Sequence, residues 1–171
     1  LSVVGIQLEP GDNAQVIFET LNFRGAPLLA ADLVKNHLFQ RLEQQGGDTD
    51  KLYEKYWSEL DEDYWREPVV QGRLTRPRID IFLSRWMVMK LVREVASDRV
   101  FADFRDEVTP QYPNASDLMR ELHDDAKAYR EFLSEESGTP QARFRYHVLE
   151  VLNSNVVMPV VLWFITRGDL Q

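Results

Sequence analysis

Apolar residues along this chain recur mostly at three- and four-residue intervals, the spacing of one helix face. Ala14, Ile17, Phe18 and Leu21 form one such stripe, with Gln15, Glu19 and Asn22 opposite. Asp12 is placed to cap this helix, and Gly25 to end it before Pro27. A second helix is predicted over 30–45, with Ala30, Leu33, Val34, Leu38 and Leu42 as its buried stripe. Asp32 lies in its first turn, where a carboxylate favours the helix dipole, and Gly46-Gly47 ends it. Asp48 or Thr49 opens a third helix carrying Leu52, Tyr53, Tyr56, Trp57 and Leu60. Residues 61–76 turn from acidic to basic and read as a short turn plus a loop.

Pro77 suits the first position of a helix. The stretch 79–95 is apolar on most sides, through Phe82, Leu83, Trp86, Met89 and Val92, and predicts a central, largely buried helix. A shorter helix is expected over 100–108, before Pro110 and Pro113 interrupt the pattern. A helix over 116–133 shows Leu118, Leu122, Tyr129 and Leu133 on one side. Pro140 starts the next, with Phe144, Val148, Val151 and Leu152. Residues 156–166 make the last, closed by Gly168. Only residues 1–9 alternate: Val4, Ile6 and Leu8 share a face, with Gly5, Gln7 and Glu9 opposite. That is a strand signal with no second confident strand to pair with, so its partners are expected outside this chain. The fold expected is mainly α: an irregular multi-helix array, not a regular bundle, preceded by one short orphan β-strand.

The 171 residues fit one domain, and 44% hydrophobic with 28% charged residues fits a folded rather than a disordered chain. Cysteine is absent. Disulfides, thiolate metal sites, iron–sulfur clusters and cysteine nucleophiles are excluded together, and a reducing cytoplasm is the expected setting. The net charge of −8 argues against nucleic-acid binding by this segment alone. Arg73, Arg76, Arg78 and Arg85 lie close in sequence but read as a solvated, carboxylate-paired face. The longest apolar run, 156–165, is interrupted by Pro159 and is half the roughly 20 residues a membrane span needs. The chain opens with Leu1, which leads us to expect a segment of a longer protein.

Most site chemistry is missing. There is no Gly-rich phosphate loop and no nucleophile elbow. His37, His123 and His147 show no metal-binding spacing. His37 reads as a satisfied core residue. His123-Asp124-Asp125 points its side chains apart on a helix and reads as a solvated face. Asp61-Glu62-Asp63 reads as a solvated turn.

Residues 18–36, FETLNFRGAPLLAADLVKN, differ. Asn22 and Arg24 would sit at a helix end, where an amide, a guanidinium and free backbone groups can grip an anion or phosphate. Gly25 supplies the left-handed conformation the turn needs. The alternative is a helix cap and a loop joining two helices.

The stretch resembles the second signature of the GmrSD-type family of prokaryotic restriction and anti-phage proteins. The matching residues are Phe18, Glu19-Thr20-Leu21, Asn22, Gly25, Leu28, Asp32, Leu33, Lys35 and Asn36. The preceding Val3-Val4-Gly5-Ile6 fits too, and the match covers about residues 3–42. The resemblance implies that 1–47 is the tail of a ParB/sulfiredoxin-like nucleotide-binding and sensor domain, and 48–171 a helical connector. The family's upstream Asp-Gly-Gln-Gln-Arg signature and its downstream His-Asn-His nuclease domain are not in this sequence. The chain is thus expected to be inactive alone, within a nucleotide-dependent, modification-sensing restriction or phage-defence protein. The parent would use a nucleoside triphosphate with Mg, this fragment no cofactor. Its partners would be the rest of the parent chain, with DNA reached only through the parent and no membrane contact. Carried onto this sequence, Phe18 packs the motif helix, Asn22 and Arg24 face the nucleotide or the domain joint beside Gly25, and Asp32 and Lys35 form a structural ion pair. No catalytic or metal-binding residue is implied.

The alternative is a non-enzymatic helical interaction module, whose Tyr53, Trp57, Tyr64 and Trp65 would include an exposed partner surface. Open apolar surface over 1–30 and 53–65 would favour it.

Overall fold

The computed structural model describes residues 29–71, 74–152 and 156–168. Eight α-helices and one small antiparallel hairpin make up the described fold, which is mainly α. The expected strand at 1–9 and the helix ending at Gly25 lie outside the described residues.

Helix α1 (Ala30–Gln44) buries Ala31, Val34, Leu38 and Leu42, close to the predicted stripe. Leu29 precedes it and offers no side-chain cap. Asp80 supplies one from another helix, its carboxylate accepting from the Ala31 amide at 3.2 Å. Helix α2 (Thr49–Tyr56) carries its own cap: Asp48 accepts from the Lys51 amide at 3.1 Å.

Residues 61–76 depart from the expected turn and loop, and the predicted third helix ends before Leu60. A 3-10 turn, Ser58–Asp61, leads into the one-turn helix α3 (Asp63–Arg66). Strands β1 (Pro68–Gln71) and β2 (Leu74–Pro77) then pair antiparallel, with Val69 opposite Arg76 and Val70 opposite Thr75. Pro68 and Pro77 face each other at the open end, where a missing N–H costs the ladder least. The basic stripe disperses here. Arg78 lies over the Tyr64 ring, 4.0 Å from its centroid, and pairs with Glu67 at 2.7 Å. Arg85 donates to the Tyr129 hydroxyl.

Helix α4 (Arg78–Leu91) is the centre, burying Ile79, Ile81, Phe82, Leu83, Trp86, Met87 and Met89. It stops earlier than the apolar pattern predicts, because Val92 turns into the left-handed region with φ 53°. Val92 is 88% exposed rather than buried. Helix α5 (Val100–Asp103) continues through a π turn (Phe104–Val108) and a 3-10 turn containing Pro110. Buried Asp103 is held by Arg93 and Arg99, both at 2.9 Å.

Helix α6 (Ala115–Ser134) lays Leu118, Leu122, Asp125, Ala126 and Tyr129 along its buried face. Helix α7 (Pro140–Tyr146) starts at the predicted proline, capped by Thr139 accepting from the Ala142 amide. Helix α8 (Met158–Arg167) packs on α4 and α6. No helix among the described residues is long and apolar enough to cross a membrane.

One buried carboxylate ties α4, α6 and α8 together. Asp125 on α6 accepts from the Trp86 indole N–H of α4 at 2.7 Å. It also accepts both amino groups of the Arg167 guanidinium of α8, at 2.7 and 2.8 Å. The His123-Asp124-Asp125 run is therefore not a solvated face throughout, since Asp125 is only 4% exposed. Removing the guanidinium leaves a buried charge half-compensated. Arg167→Met is expected to cost about 3 kcal/mol, read from urea denaturation midpoints, and a loss under about 1 kcal/mol would show that water replaces the pair. Val92 sets the opposite test. A β-branched residue in the left-handed region carries strain that glycine lacks. Val92→Gly is expected to stabilise by about 1 kcal/mol, a rise in Tm of about 3 °C for a domain this size; a lower Tm would contradict it.

Candidate functional site

The part of the signature that lies among the described residues forms the start of α1. Its charged residues do not pair with each other as predicted. Asp32 and Lys35 are bridged instead by residues from the 3-10 turn and α3. Arg66 donates to Asp32 at 2.9 Å and to Asp61 at 2.9 Å. Lys35 donates to the other oxygen of Asp61. The Tyr53 hydroxyl donates to that same oxygen at 3.1 Å, and the Lys35 ammonium sits 4.8 Å from the Tyr53 ring centroid. Two acids and two bases thus alternate along one chain, half-buried throughout.

Asp61 is the hub. Burial pushes its carboxyl up, but hydrogen bonds from Lys35, Arg66 and Tyr53 outweigh that and hold it below the ordinary carboxylate range. The bond to Asp61 in turn raises the Tyr53 phenol. Beside this chain stands the Asp80 cap. Burial raises its carboxyl, opposed by the amide of Ala31, while nearby Asp32 adds to the rise. The joint therefore fixes both the backbone and the side chains of the first α1 turn. Chemically it is a closed set: each of its cations already faces a carboxylate, so Lys35 is committed inside the protein rather than offered to a phosphate.

The remaining predicted site residues, Phe18, Asn22, Arg24 and Gly25, lie outside the described residues. The bridging residues Asp61 and Arg66 do not stand out in the sequence, where residues 61–76 read as a short turn plus a loop. One signal was available: Asp61 and Arg66 are opposite charges that flank the apolar Tyr64-Trp65 pair, and Trp65 is buried. A buried tryptophan in that segment anchors it on the core and brings its charges toward α1.

His37, expected in the core, is only half-buried, at the core's edge. Its ring stands edge-on to Phe101 and Phe104, and lies 3.3 Å from the Thr109 hydroxyl. Burial, then Arg41, lowers its proton affinity. His123 packs on the Tyr56 ring. Among the described residues no cluster of His, Asp or Glu is arranged to hold a metal ion.

The aromatic surface proposed over 53–65 is largely closed. Trp57 and Trp65 are each 1% exposed, and Tyr53 and Tyr64 are half-buried against the core. Open apolar surface lies elsewhere, at α7, α8 and the segment between them. Phe144, Val151 and Leu152, the apolar residues that the sequence places on the helix from Pro140, are exposed there.

No protein-family model matches this chain, and no curated protein and no solved structure matches it.

The joint makes a definite prediction about acid stability. Because the folded Asp61 is more acidic than an unfolded aspartate, its contribution is complete above the ordinary value of 3.8 and is lost as pH falls through the lower folded value. Asp61→Asn is expected to lower stability by about 1–2 kcal/mol near neutral pH. The deficit against the native protein should shrink on acidification below about pH 4. A deficit that stays constant down to pH 2 would contradict the assignment of Asp61 as the hub.

Proposed function

We propose that this chain is a fragment of a GmrSD-like, nucleotide-dependent, modification-sensing restriction or phage-defence protein of the prokaryotic cytoplasm. In this reading it contributes the second signature of the nucleotide-binding domain together with a helical scaffold, and is inactive alone. The parent would be an NTP-dependent endonuclease, with an upstream nucleotide-binding domain, a downstream nuclease domain, and DNA bound only through those parts.

The supporting observation is where the joint lies. Asp32, Lys35 and Asn36 of the signature occupy the start of α1, and Asp61, Arg66 and Asp80 hold that start in place. The chain leaving Leu29 toward Gly25, Arg24 and Asn22 therefore departs from a fixed point. A nucleotide-gripping amide and guanidinium need such a base, because placement errors of an ångström weaken a site severely. Within the parent, Asn22 and Arg24 would contact a nucleoside triphosphate, whose bound Mg would supply charge neutralisation at the phosphates. The connector would carry any change at that site into the helical array through α1.

In the intact parent, Asn22→Ala is expected to cut nucleotide hydrolysis by at least about tenfold, or about 1.4 kcal/mol, with the Tm unchanged. Wild-type hydrolysis by that variant would overturn the site. A second reading, a helical interaction module without nucleotide chemistry, is favoured by one observation: the apolar surface left open at α7 and α8. It predicts that no nucleoside triphosphate binds the parent at all.

A further inference from the structure

We draw no further inference here: the strongest candidate, the open apolar face of α7 and α8 with its grooves beside Phe144 and Val160, carries nothing because nothing in the structure shows what covers it.

Discussion

A carboxylate buried at the meeting of three helices constrains most of this architecture. Asp125 is closed off from water, so its charge must be met inside the protein. Trp86 of α4 meets one oxygen and Arg167 of α8 meets both. That requirement fixes how far along α4 and α6 the last helix must lie. The network widens at its edge, where Glu121 accepts from Lys90 at 2.7 Å and from the Tyr112 hydroxyl at 2.5 Å. Burial, then Glu121, drives the Tyr112 phenol well above its ordinary range, so it stays a neutral donor. Helix α8 is thereby anchored by polar groups at one end, while its outer apolar stripe faces away from the core.

A second polar set does for α1 what Asp125 does for α8. The α1 stripe joins the same hydrophobic cluster as α4 and α6, so residues on both sides of position 47 share one core. Apolar packing leaves a helix free to slide or turn slightly. The bonds of Arg66 and Lys35 to Asp61, and of the Ala31 amide to Asp80, remove that freedom at the end from which residues 1–28 depart. The functional proposal uses this rigidity. A signature whose charged residues are already neutralised within the protein serves as a mount, and the groups that meet a ligand are those before it in sequence.

The helical elements were legible because their apolar residues recur at helical spacing and their ends carry recognisable chemistry. Asp48, Thr139 and Pro140 behave as their residue types suggest. The hairpin was not legible. Pro68-Val69-Val70-Gln71 is short, and its return strand reads as a basic loop, so neither shows a sustained two-residue period. The end of α4 was hidden for another reason: no glycine marks it, and Val92 fits the apolar pattern while adopting a conformation rare for valine. Asp125 was visible in principle, since it falls three residues after Leu122 and four before Tyr129, inside the buried stripe of α6. Phe144, Val151 and Leu152 show the limit of periodicity, which identifies an apolar face but not whether the chain itself covers it. For the candidate site, the α1 residues were found in sequence, whereas the bridging Asp61 and Arg66 come from elements that helical spacing does not reveal.

The account rests on α1 being built into the helical array rather than hinged upon it. Native-state amide hydrogen exchange measures this directly, residue by residue. The amides of Leu33–Leu38 should open only with those of α4 and α6, at the same free energy and the same denaturant dependence. If α1 instead opens in a separate, lower-energy step while α4 and α6 stay protected, the joint does not fix it, and the signature lacks the rigid mount proposed here.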